Sequence, residues 1–252
     1  MRPSARLVVL GRKLLTPAQI STALWLDAAD SSTIILNGST VSRWNDKSGN
    51  GRNAIQATAT NQPAYTANGL NGKSVLTFDG NDFLVSSTGT YGPNVSIFAV
   101  ARQDGGSGYQ RIVNVRIDQF AFFGSLNGNF TTLFGNNAWN DVNANTPSIA
   151  VTSTRILGVV NPTSGSAATP YVDGIAQNTK TGTMGISNGV DIGAIQSPNT
   201  HFWFGIMAEI IVINSAVTTT VRQFIEGYLA WKWELTANLP DNHPFKFNPP
   251  LV

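Results

Sequence analysis

No cysteine occurs among the 252 residues, so disulfide staples, thiolate metal sites and cysteine nucleophiles are excluded together. The fold must stand on packing alone. Charge is scarce too: Asp, Glu, Lys and Arg make up 12% of the chain, about half the usual share. Glutamates number three (Glu209, Glu226, Glu234) and histidines two (His201, His243). No apolar run approaches the ~20 residues of a membrane-spanning helix. There is no heptad pattern, internal repeat or collagen-like tract, so the chain does not build a fibrous shaft. The formal net charge is +2, and Arg2, Arg6, Arg12 and Lys13 place four positive charges in the first fifteen residues with no acid among them. The rest of the chain is slightly acidic and offers no basic stripe for nucleic acid. Arg12 and Lys13 follow the run Leu7-Val8-Val9-Leu10 before a signal-peptide core can form, so residues 1–15 read as a basic arm.

What is present is a 42% hydrophobic share, 24 glycines and abundant Asn and Thr. These suit short strands, tight turns and a surface of neutral amides and hydroxyls. In Trp44-Asn45-Asp46-Lys47-Ser48-Gly49-Asn50-Gly51, an apolar anchor leads into Asx-turn residues and glycines free to take positive φ. Val75 to Leu84 repeats the device: Leu76 and Phe78 share one face before Gly80-Asn81-Asp82 reverses the chain. Trp25 and Trp44, flanked by Leu and Val, read as core. Val95 to Ala101 is apolar nearly throughout, which predicts a strand buried on both faces. Tyr171-Val172-Asp173-Gly174-Ile175 carries the Asp-Gly hairpin signal. Further strands are expected near 111–117, 120–123, 130–134, 149–152, 156–160, 190–195, 202–204 and 207–213. One helix is expected within residues 218–235, its stripe formed by Val221, Phe224, Ile225, Tyr228 and Leu229. Trp231 and Trp233 cannot both lie on that stripe. Residues 238–252 hold four of the twelve prolines and are expected to run extended as a tail. Short strands without long intervening helices indicate an antiparallel sandwich over residues 16–237.

Several pieces together resemble the laminin-G-like, or concanavalin A-like, jelly-roll domains of bacteriophage virion and bacterial surface proteins. They are Leu24-Trp25-Leu26-Asp27, the Trp44 loop, Phe78-Asp79-Gly80-Asn81-Asp82, Tyr171-Val172-Asp173-Gly174, Ala208-Glu209-Ile210-Ile211-Val212, and Ile225 to Trp233. The resemblance covers residues 16 to 248 and implies an all-β, two-sheet jelly-roll sandwich with one C-terminal amphipathic helix. Relatives of that kind include β-glucanases, calcium-dependent glycan binders and structural virion modules, and fold does not choose among them.

The residues weigh against hydrolysis. Glycosidases place two carboxylates roughly 5–9.5 Å apart, and the glucanases of this fold carry Glu-x-Asp-x-Glu where this chain has Glu209-Ile210-Ile211-Val212-Ile213. A backbone or arginine partner at a strand end is expected for Glu209, and packing or surface roles for His201 and His243. Asp79, Asn81 and Asp82 supply the hard oxygens calcium prefers, although the turn needs these residue types anyway. For a glycan, Trp139 with Asn137 and Asn140 in a polar stretch is the best platform, with Tyr109 after Gly105-Gly106-Ser107-Gly108 as the second. The expectation is a non-enzymatic phage virion surface protein, on capsid or tail, anchored to other virion proteins by Arg2, Arg6, Arg12 and Lys13 and assembled as a homo-oligomer. No obligatory cofactor, nucleic acid or membrane span is expected. The alternative is a carbohydrate-binding adhesion module on a cell surface or outside the cell, and a glycoside hydrolase is the remote third.

Overall fold

The computed structural model describes residues 12–86, 88–115, 121–134, 139–141, 150–161, 167–181, 186–195 and 200–251; side chains are not described at 121, 122, 133, 134, 139–141, 180 and 181. Among the described residues the chain forms eighteen strands and one α-helix. The first nine strands are β1 (Leu24–Asp27), β2 (Ile34–Asn37), β3 (Thr40–Trp44), β4 (Ala54–Ile55), β5 (Ala64–Leu70), β6 (Lys73–Asp79), β7 (Leu84–Ser86), β8 (Val95–Gln103) and β9 (Tyr109–Val115). Then follow β10 (Ala121–Leu126), β11 (Asn129–Phe134), β12 (Trp139–Asp141), β13 (Arg155–Asn161), β14 (Ala167–Val172), β15 (Ile175–Ala176), β16 (Lys180–Thr181), β17 (Val190–Ile192), β18 (Phe204–Ile213) and α1 (Thr219–Lys232). The architecture is all-β and antiparallel with one C-terminal helix.

Two runs of paired strands carry the fold. One runs β5–β6–β18–β8–β13–β14, with β1 lying on β18 beyond the end of β6. The other runs β2–β3–β4–β7–β17–β9–β10–β11–β12. A bridge from Thr40 to Ala64 joins them. Strand β8 is buried along nearly its whole length, as its apolar run predicts. Side-chain alternation then divides the interior in two. Ile97, Ala99 and Ala101 of β8 enter a core shared by both runs, with Leu76, Phe78, Ile112, Val113 and Trp44. Phe98 and Val100 enter a second core with Ile225, Tyr228, Leu229 and Trp233 around the helix. Each large apolar side chain removed from water there contributes roughly 1.5–3 kcal/mol.

Strand β18 alternates in the same way but changes phase once. Ile206 and Ala208 face the helix and Met207 the shared core; beyond the bulge it is Ile210 and Val212 that face the shared core and Ile211 the helix. The register shift between Met207 and Glu209 inserts one residue and turns Glu209 to the helix side instead of the shared core.

Local chemistry explains the element ends. Thr218 caps α1, its Oγ1 accepting from Val221 N at 3.3 Å, a contact of about 1 kcal/mol. Asp173 (φ 52°) and Gly174 (φ 83°) form the two-residue turn between β14 and β15, the geometry Asp-Gly favours. In the Trp44 loop, Asp46 accepts from Trp25 N (3.0 Å), Ser48 N (2.9 Å) and Arg52 N (3.0 Å), so one carboxylate fixes the loop against β1. The helix stripe departs from expectation at Phe224, which meets the tail residue Phe245 with ring centroids 5.0 Å apart. Gly227 permits that crossing, since a Cβ there would sit 2.6 Å from Phe245 Cβ. Trp233 is buried in the helix core, whereas Trp231 is half-buried and donates Nε1 to Phe245 O at 2.8 Å. Beyond Phe245 the tail returns to the start of the chain, where Leu15 N donates to Pro250 O at 2.8 Å. Among the described residues no helix is long and apolar enough to cross a membrane, which says nothing of a β-barrel.

Candidate functional site

A cleft of about 660 Å³ opens where three segments meet: the end of β6, the glycine loop between β8 and β9, and the approach to β18. Asp79, Tyr109, His201, Phe202 and Phe204 line it. Pairing makes the meeting, because Phe204 of β18 lies opposite Asp79 of β6, and Asp104 N donates to Phe204 O at 2.9 Å. Period-2 alternation does the rest: Trp203 is buried while Phe202 is half-buried and Phe204 exposed. The Phe204 ring rests between two glycines. A Cβ on Gly80 would approach it to 3.1 Å and one on Gly105 to 2.9 Å, so larger residues at either place would press on the ring.

Gln110 supports this wall from below. Its Oε1 accepts from Phe204 N (2.9 Å) and its Nε2 donates to Gly105 O (2.9 Å), which leaves the side chain committed to the fold. His201 sits at φ 60° and its carbonyl accepts from Arg111 N at 3.0 Å. The Tyr109 and His201 rings lie 6.1 Å apart at 53°. His201 Nδ1 is bonded to Thr200 Oγ1 at 2.8 Å, so Nε2 is the ring nitrogen left for a ligand. Burial, with the Arg111 guanidinium nearby, holds the imidazole below its ordinary pKa and therefore neutral at pH 7.

Asp79 is exposed at the cleft and Asp82 is buried beside it. Asp82 Oδ2 accepts from Asp79 N (2.9 Å) and Asp79 Oδ1 from Asn81 N (3.1 Å). Burial pushes the Asp82 carboxyl up to about 6, and the neighbouring Asp79 charge adds to the shift. Asn61 Nδ2 donates to Asn81 O at 2.9 Å, tying the turn to the preceding loop. Among the described residues no three His, Cys, Asp or Glu side chains converge to hold a metal ion.

Of the residues singled out from the sequence, Tyr109 and Asp79 share this cleft, with Asn81 and Asp82 in the turn behind it. Trp139 and Asn140 lie on β12, paired with β11, but their side chains fall outside the described residues, as does Asn137 altogether. Arg2 and Arg6 also lie outside them, while Arg12 and Lys13 are exposed. His201, Phe202 and Phe204 were not expected to face a site. The signals for them were the Phe-Trp-Phe alternation and the cluster of glycines at 105, 106 and 108.

Glu209 requires a correction. Among the described residues it has neither a backbone nor an arginine partner: its oxygens accept from Trp25 Nε1 (2.7 Å), Tyr228 OH (2.8 Å), Lys232 Nζ (2.7 Å) and Trp233 Nε1 (2.7 Å), with no solvent exposure. Lys232 Nζ also lies 2.5 Å from Asp27 Oδ1. Burial pushes the Glu209 carboxyl up and Lys232 draws it back, and four donors converging on two oxygens call for the acceptor-only, ionised form. His243 packs as expected, buried with Nε2 3.1 Å from Glu226 Oε2.

No family model matches the chain, and no curated protein matches it. Solved structures do share its fold. Trypanosoma rangeli sialidase in complex with sialic acid is 15% identical with a TM-score of 0.57, over 84% of this chain and 33% of that one. Domain 4 of AbnA, a GH43 extracellular arabinanase from Geobacillus stearothermophilus, in complex with arabinotriose, is 13% identical with a TM-score of 0.56, over 82% of this chain and 97% of that one. The binding domain of botulinum neurotoxin serotype G is 15% identical with a TM-score of 0.58, over 88% of this chain and 53% of that one. The chain thus spans a third of the sialidase and about half of the toxin domain. These matches overturn the phage reading, with its capsid, tail-fibre and virion terms, because they join the fold to carbohydrate-active enzymes and a toxin binding domain. They also overturn the expectation that the chain is not an enzyme, since sialidases and part of an arabinanase carry the same fold.

Proposed function

We propose that this chain is a carbohydrate-binding module of the concanavalin A-like, two-sheet jelly-roll kind, acting outside the cell or at a cell surface, and that its glycan lies in the cleft between Tyr109 and Phe204. The observation that carries the reading is the composition of that cleft. One exposed and two half-buried aromatic rings, one exposed carboxylate and one neutral imidazole meet in a cleft of the size small ligands occupy. Sugar C–H faces stack on aromatic rings, while hydroxyls bond to acceptors such as Asp79 and to the open His201 nitrogen. The arabinotriose of the arabinanase domain and the sialic acid of the sialidase support a sugar as the ligand class. A glycan array with wild type and Tyr109→Ala tests this: wild type should bind and the variant should lose most of the signal, whereas equal binding by both would move the site elsewhere, with Trp139 the next place to substitute.

A second reading, hydrolysis of the bound glycan, is favoured by the exposed carboxylate of Asp79 in the cleft, with the buried carboxyl of Asp82, raised to about 6, directly behind it. Release of reducing ends that Asp79→Asn abolishes would establish it. Calcium at Asp79, Asn81 and Asp82 is a separate proposal, checked by the melting temperature in calcium against a chelator. The arm residues Arg2, Arg6, Arg12 and Lys13 are proposed to hold the module to an acidic partner or to a second copy; truncation of residues 1–15 followed by sedimentation tests that.

A further inference from the structure

We infer, resting on the glycan reading above, that the cleft selects uncharged sugars and rejects sialylated or otherwise anionic glycans. Among the described residues that line it, Asp79 is the one acidic side chain, and no Lys or Arg is present. A sugar carboxylate is held most strongly by a guanidinium or an ammonium, and the lining contains neither Lys nor Arg. The cations close by are committed or withdrawn. Arg102 is held by Asp104, Nε to Oδ1 at 2.5 Å and Nη2 to Oδ2 at 3.0 Å. Arg111 is buried behind His201. His201 itself is neutral, so it offers a hydroxyl partner and no positive charge. Gln110, the one amide side chain of the lining, is buried, its Oε1 accepting from Phe204 N and its Nε2 donating to Gly105 O.

The positive design fits a neutral ring equally well. Tyr109, Phe202 and Phe204 present apolar surface to sugar C–H groups, and Asp79 keeps Oδ2 for a hydroxyl after Oδ1 has accepted from Asn81 N. An anionic sugar would bring its charge against that same oxygen, and like charges at contact distance in a half-wet site weaken binding by roughly tenfold or more.

The experiment is an array of oligosaccharides in matched pairs with and without terminal sialic acid, followed by calorimetry on the tightest pair in ~0.05 M and ~0.5 M NaCl, salt concentrations that bracket strong and weak screening. Wild type should bind neutral members, with the sialylated partner at least about tenfold weaker. Salt should narrow the gap and leave neutral binding unchanged. Asp79→Asn, which keeps the acceptor for Asn81 N, should narrow it further; its folding is checked by the melting temperature. Equal or tighter binding of sialylated members overturns this inference and leaves the glycan reading standing. Binding to no glycan at all overturns both.

Discussion

Two regions of this molecule gather aromatic and acidic side chains, and they use them in opposite ways. Around Glu209, two indoles, a phenol and an ammonium close on one carboxylate that solvent does not reach. Around Asp79, a phenol ring, an imidazole and two phenyl rings surround a carboxylate that solvent does reach. The first group spends its bonding capacity on the fold: the cluster locks β1, β18 and the helix together, and its polar groups are buried only because they satisfy one another. The second leaves capacity over, because it sits where strands end and loops begin. Position along the strand, more than residue type, decides which acid supports the fold and which can meet a ligand.

The strongest way to break the comparison is Glu209→Ala. Removing the acceptor strands buried donors and an ammonium beside Asp27, which should cost about 3–5 kcal/mol and lower Tm by roughly 10 °C for a chain of this size. Calorimetry checks it, and a loss under ~1 kcal/mol, the size of an ordinary surface change, would show that the cluster is not a keystone. Gly174→Ala tests the same side of the molecule more gently. The new Cβ would occupy φ 83° and sit 3.0 Å from His243 Cδ2, so a loss of about 1–2 kcal/mol is expected in denaturant unfolding.

At the cleft the order reverses, with function more sensitive than stability. Tyr109→Ala should weaken glycan binding by about tenfold, the scale of one lost aromatic contact, while Tm stays close to wild type. The smallest effect concerns pH. Asp82 holds its proton more tightly in the folded chain, with a pKa of about 6 against an ordinary 3.8. Its contribution is therefore fully present at low pH and is lost as pH rises through 6. Denaturant melts of wild type and Asp82→Asn at pH 4.5 and pH 7 should show that the variant loses less stability on going to the higher pH.

Much of the fold was legible in the sequence where local chemistry decides it. The Asp173-Gly174 turn, the doubly buried β8, the helix with its Thr218 cap and the turn that Asp46 makes with Ser48 all follow from residues within a few positions of one another. Strand β5 was not legible. Ala64 to Leu70 lacks clean alternation, and Asn68 at φ 55° breaks its register with β6. The role of Glu209 was hidden because one inserted residue at Ala208 reverses the side that a simple alternation assigns. At the cleft, Tyr109 and Asp79 could be singled out separately, but their meeting depends on Phe204 pairing with Asp79 across the sheet. Sequence spacing carries no trace of that pairing. The phage reading came from the resemblance of strand, turn and helix pieces, which the fold uses whatever the protein binds.

The most direct test is a crystal structure of the chain with the tightest uncharged oligosaccharide from the array. The sugar should lie between Tyr109 and Phe204 with a hydroxyl on Asp79. Density for it at the β11–β12 end, with this cleft holding only water, would contradict the account.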